Sequence, residues 1–120
     1  MRFTIFLILA TVMISVLGGM SAAQAPDAAP RGDAENGKEI FASYGCYSCH
    51  GYAAHGGPGG RIGPSPYAFS GFSAYVRQPA GVMPLYTSRV VTDQELADIY
   101  AFLQSLPRPV PAESIPLLNN

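Results

Sequence analysis

Lysine is almost missing from this 120-residue chain: Lys38 is the only one, and Lys, Arg, Asp and Glu together supply 12% of the residues. With 7 basic against 8 acidic side chains there is no basic face to hold a nucleic acid, so that class of partner is excluded. Alternating apolar and polar runs of useful length are missing too, as are internal repeats, which leaves an all-α architecture. Cysteine and histidine are scarce, two of each. All four lie within "CYSCHGYAAH", residues 46–55.

The N-terminus "MRFTIFLILATVMISVLGGMSAAQA" places Arg2 ahead of a long apolar run that ends in small residues, the layout of a secretory signal. Cleavage is expected after Ala23; cleavage after Ala25 would leave Pro26 first, a poor peptidase substrate. The alternative is an uncleaved anchor, since about 18 apolar residues approach the minimum for a membrane span. Loss of residues 1–23 removes Arg2 and leaves a mildly acidic protein, 6 basic side chains against 8 acidic. Residues 24–32 read as a flexible lead-in, 33–107 as the domain and 108–120 as a Pro-rich tail. A domain of roughly 75 residues rarely stabilises itself by burial alone and needs a staple.

Three helical segments are predicted. In "DAENGKEIFASYG", Asp33 caps, Glu35 suits the positive end, Gly37, Phe41 and Tyr44 share a face, and Gly45 ends the helix. The second, "SGFSAYVRQP", carries Phe72, Tyr75 and Val76 on one side and stops at Pro79. The third, "TDQELADIYAFLQSLP", opens with a Thr92/Glu95 capping box and carries Leu96, Ile99, Tyr100 and Leu103 at helical spacing. A Gly/Pro-rich loop, "HGGPGGRIGPSP", joins the first two.

Cys46-Tyr47-Ser48-Cys49-His50 has the spacing for covalent attachment of a c-type haem. Two thiols three positions apart reach the two vinyl groups on one porphyrin edge, and the adjacent histidine falls beneath the iron as proximal ligand. Three other readings compete. A disulfide between Cys46 and Cys49 would close a tiny loop and stabilise little. A thioredoxin-like pair needs a preceding strand, where this chain has a helix. A zinc site of Cys46, Cys49, His50 and His55 lacks a second ligand pair at the usual separation. For the sixth haem ligand, the methionines are Met1, Met13, Met20 and Met83, and signal removal leaves Met83. It lies 33 positions beyond His50, enough chain to reach the opposite haem face, which His55 is too near to do. In "GVMPLY", Pro84 holds residue 83 extended and Gly81 permits a close turn; the alternative is a core methionine.

A helix with Gly37 and Phe41, then "CYSCH", a glycine-proline loop, "GVMP" and a C-terminal amphipathic helix together resemble the small bacterial monohaem class I cytochromes c. The resemblance implies a cytochrome c-like fold of about three helices with long Gly/Pro-rich loops around one covalently attached haem. It also implies that the first and last helices cross closely, Gly37 admitting Phe102 or Tyr100, and that a proline carbonyl, from Pro64 or else Pro58, accepts a hydrogen bond from the proximal histidine. The scarcity of lysine excludes a lysine-ringed docking face. Arg61 and Arg77 are candidates for the haem propionates or for solvated surface, and Tyr52, Tyr67 and Tyr86 for the pocket lining or for ordinary packing.

An iron with both axial positions filled, by His50 and Met83, passes single electrons rather than binding a substrate. The expected role is periplasmic electron transfer, as a soluble carrier or as the cytochrome subunit of a dehydrogenase or oxidase, with redox proteins as partners and membrane contact only through an uncleaved N-terminus. The alternative is a haem enzyme or gas sensor with an open distal site.

Overall fold

The computed structural model describes residues 29–118. The expected signal segment, the first part of the lead-in and the last two residues lie outside them. Four helices follow in order: α1 (Ala34–Ser43), the single turn α2 (Tyr47–His50), α3 (Phe69–Arg77) and α4 (Asp93–Ser105). The described residues contain no strand, so the fold is all-α, and none of their helices is long and apolar enough to cross a membrane.

α1 starts where the Asp33 carboxylate accepts hydrogen bonds from Glu35 N (2.9 Å) and Asn36 N (3.1 Å), two donors the first turn leaves without helical partners. It stops at Gly45, whose φ of +74° glycine adopts without strain. Gly45 N donates to Ala42 O (3.0 Å) and Cys46 N to Phe41 O (3.1 Å), the paired bonds of a Schellman ending. That ending turns the chain directly into Cys46. α4 opens with the expected box: Glu95 N donates to Thr92 Oγ1 (3.2 Å) while Thr92 N donates to Glu95 Oε2 (2.7 Å).

α1 packs chiefly on α4, and α3 lies more lightly against α4. The core is Ile40, Phe41, Val76, Val91, Leu96, Ile99, Phe102 and Leu103, with the fully buried Ala54 of the glycine-rich loop. Gly37 makes the crossing possible in a way the sequence reading did not anticipate. A Cβ there would overlap the Asp98 carbonyl and lie 2.8 Å from Ile99 N, so the glycine admits the α4 backbone itself rather than an aromatic ring. Phe102 packs instead on Phe41, one turn further along (centroids 5.5 Å apart), and Tyr100 meets Phe69 edge-on at 5.5 Å.

The same crossing carries a polar clasp. Asp98, 4% exposed, accepts from Asp33 N (2.9 Å), Asn36 Nδ2 (2.8 Å) and Gln94 Nε2 (2.9 Å). Burial alone would raise its carboxyl; the bonds from Asp33, Gln94 and Asn36 outweigh that and hold it below the usual carboxylate range.

One expectation changes: Tyr75, placed on the same side as Phe72 and Val76, is half exposed, and Val76 is the one buried residue of α3. The attachment motif is wound into the helical turn α2. Beyond Pro107 the prolines leave room for two three-residue 3-10 turns, Ala112–Ser114 and Pro116–Leu118, with Leu117 and Leu118 exposed.

Candidate functional site

The end of α1, the turn α2 and the long loops on either side of α3 surround an apolar cleft of about 410 Å³, part of it open to solvent. Phe41 comes from α1, Cys46 and His50 from the motif turn, Ile62 from the glycine-rich loop, Phe72 and Val76 from α3, Met83 and Tyr86 from the loop beyond it, and Val91, Leu96, Ile99 and Leu103 from the segment leading into α4 and α4 itself. Cys46, His50 and Met83 thus meet in one cleft although 37 positions separate the first from the last.

α2 explains how the motif presents its groups. Residues three apart on a helical turn share a side, which brings Cys46 and Cys49 to one flank. Cys46 is partly buried, Cys49 is exposed, and both thiols are free. Burial pushes the Cys46 thiol above its ordinary value, and its own backbone bond and the Tyr86 hydroxyl offset that only in part. The Tyr86 phenol is raised as well, first by burial and then by Cys46.

His50 Nδ1 lies 2.8 Å from the Gly60 carbonyl. A carbonyl only accepts, so the proton of the neutral ring sits on Nδ1 and the Nε2 lone pair is left for a metal. Neither Pro64 nor Pro58 takes this role. Gly59 donates its N to Cys49 O (2.8 Å) and Gly56 N to His50 O (2.9 Å), which draws the loop over the motif and delivers the next carbonyl, that of Gly60. Only glycine fits at 59, because a Cβ would lie 2.8 Å from His50 Cε1 and 3.0 Å from Nδ1. Pro64, joined to Gly63 by a cis peptide bond, stands outside the cleft lining.

The other candidates divide clearly. Tyr86 lines the cleft and donates its hydroxyl to Tyr44 O (3.2 Å). Tyr52 and Tyr67 are exposed; Tyr52 stacks on Tyr47 with centroids 4.3 Å apart. Arg61 donates to Pro107 O (2.9 Å), and Arg77 to the carbonyls of Tyr86 (3.0 Å) and Val91 (2.7 Å), so both arginines tie protein to protein. His55 is exposed and outside the cleft, and no group of three or more His, Cys, Asp or Glu side chains among the described residues is gathered around a metal position. Ile62, Val91 and Gly60 were missed by the sequence reading. Ile62 and Val91 sit in loops without periodicity, and Gly60 contributes only a backbone oxygen.

The donor set fits a haem: two free thiols on one turn, an imidazole whose inner nitrogen is fixed by a carbonyl, a thioether, and apolar walls between them. An all-α fold that places Cys46, His50 and Met83 around one cleft, with Cys49 exposed on the same turn, defines a small single-haem c-type cytochrome. The chain belongs to the family described as cytochrome c oxidase, cbb3-type, subunit III, whose family model matches residues 32–103. Comparison with curated proteins and with solved structures gave no match. The cofactor is accordingly a c-type haem, and the protein's work is haem-based electron transfer.

Proposed function

We propose that this chain is an exported, periplasmic electron-transfer protein in which Cys46 and Cys49 hold the haem through thioether bonds and His50 and Met83 ligate its iron. The observation that carries the reading is the convergence of Cys46, His50 and Met83 on one apolar cleft. When bound, a c-type haem supplies an iron that gains and loses single electrons. His50 offers Nε2 because Gly60 occupies Nδ1. Met83 offers a soft thioether sulfur, which favours the ferrous state and raises the potential relative to two imidazoles. With His50 and Met83 as its protein ligands, a bound haem iron would offer no open position to a substrate. Residues 33–107 act as the haem domain, and residues 1–23 as the export signal. The family description, an oxidase subunit, favours membership of a respiratory oxidase complex over service as a free carrier.

The test is the purified protein from a periplasmic extract. Its mass is expected to exceed that of the polypeptide by one haem, and its ferric form to be low-spin with the weak far-red band of sulfur-to-iron ligation. Met83→Ala should abolish that band and let the reduced protein bind carbon monoxide promptly. An unchanged spectrum in Met83→Ala would refute the distal assignment.

A further inference from the structure

We infer that Arg77 is a positioning residue for Met83: its guanidinium clamps both ends of the Met83 loop and so sets how firmly the thioether is held toward the cleft. The inference rests on the proposed His50/Met83 ligation. Arg77 is the last residue of α3, and the chain then runs through Gln78, Pro79 and Gly81 to Met83 before returning. At the return, Arg77 Nη1 donates to Tyr86 O (3.0 Å) and to Val91 O (2.7 Å), and Arg77 Nη2 meets Asp93 Oδ1 at 2.6 Å. One side chain therefore ties the end of α3, the residue three beyond Met83 and the start of α4.

Around Met83 itself the loop is weakly held, its other ties being Tyr86 Oη to Tyr44 O (3.2 Å) and Val90 N and Val91 N to Thr87 O (3.0 Å each). Tyr86 N reaches Val76 O at a long 3.4 Å, Val82 is fully exposed and Leu85 is 58% exposed. Gly81, at φ +70°, has open space where a Cβ would stand. The arginine fork is suited to this task, since its several donors are rigidly arranged and permanently charged. Its two carbonyl bonds are partly buried, and charge-assisted bonds of that kind are about twice as strong as neutral ones. The Asp93 carboxylate is the lesser partner, its side chain being 82% exposed.

The test compares wild type, Arg77→Met, Arg77→Lys, Asp93→Asn and Met83→Ala as haem-loaded full chains. The readouts are the far-red band against temperature, carbon monoxide binding by the reduced form, and helix melting by circular dichroism. In Arg77→Met the band is expected to fade well below the helix melt, and the population with Met83 released to rise by about ten- to a hundredfold. Arg77→Lys should recover part of that loss, and Asp93→Asn should change it little. If the band and the helices of Arg77→Met melt together and carbon monoxide binding matches wild type, Arg77 is only a structural tie and the inference falls. Should Arg77→Met fail to fold, the lysine variant decides on the same two readouts. If Met83→Ala keeps the band, the ligation reading itself fails; if it loses the band while the Arg77 variants keep theirs, only the clamp does.

Discussion

Residues 46–63, which carry His50, and residues 78–91, which carry Met83, border the same cleft but are secured by different means. On the His50 side most ties are backbone bonds between near neighbours, Gly56 N to His50 O (2.9 Å), Gly59 N to Cys49 O (2.8 Å), and both Ile62 N and Gly63 N to Ala54 O (3.0 Å each), with one long-range side-chain tie from Arg61 to Pro107 O (2.9 Å). On the Met83 side two local backbone bonds, from Val90 N and Val91 N to Thr87 O (3.0 Å each), are joined by side chains that reach farther. Tyr86 donates to Tyr44, 42 positions away, and Arg77 to Val91, 14 positions away. Short loops close at a smaller entropic cost than long ones, so the local bonds of the first wall cost less chain entropy than the long-range ties of the second. Local opening is drawn from segments with few buried contacts, and the Met83 loop is such a segment. The imidazole side is set by the chain's own path; the thioether side is set by its neighbours.

The contrast is broken most severely by Gly59→Val. The branched side chain has no room beside the His50 ring, so the Gly60 bond should be lost together with about 3 kcal/mol of stability. That fall is measurable as a lower Tm and a poor yield of haem-loaded protein; a Gly59→Val protein with wild-type yield and Tm would show that the loop yields freely. A smaller effect is expected at the other wall. Gly81→Ala meets no atom, yet its φ of +70° costs an L side chain about 1–2 kcal/mol. Because the strain sits in the Met83 loop, the far-red band should weaken at a lower temperature while the helix melt moves by less. The least perturbing test is acid, which addresses the helix crossing and neither wall. Asp98 is held below its unfolded value of about 4, so its contribution is present above that pH and is lost as the pH falls through and below it. Thermal melts between pH 6 and pH 3 should show this decline, and Asp98→Asn should flatten the part of the slope that Asp98 supplies.

The features legible in the sequence are those written in local chemistry. Asp33 as a cap, the Thr92/Glu95 box and the stop at Gly45 each depend on residues within a few positions of one another, and each forms as read. The attachment motif was equally plain, because its spacing is itself the geometric requirement. Gly37 was recognised as a point of close approach, but its partner was taken to be a ring when it is the α4 backbone. Sequence does not distinguish these, since every residue brings a backbone. The same limit explains Gly60: any carbonyl serves His50, and the loop's bonds to Cys49 and His50 decide which one arrives. Tyr75 was placed on one side with Phe72 by its spacing, yet α3 is short and buries only Val76 completely. Asp98 was passed over because a carboxylate on an otherwise apolar helix face gives no periodic signal until Asp33 and Asn36 are seen opposite it.

The helix crossing at Gly37 has a topological consequence. Ala34 and Glu35 at the start of α1 border the same hollow as Ser105 and Leu106 at the end of α4, so the polypeptide comes in and goes out through one doorway. A circular permutant that joins residue 107 to residue 31 through a short linker should therefore keep its architecture.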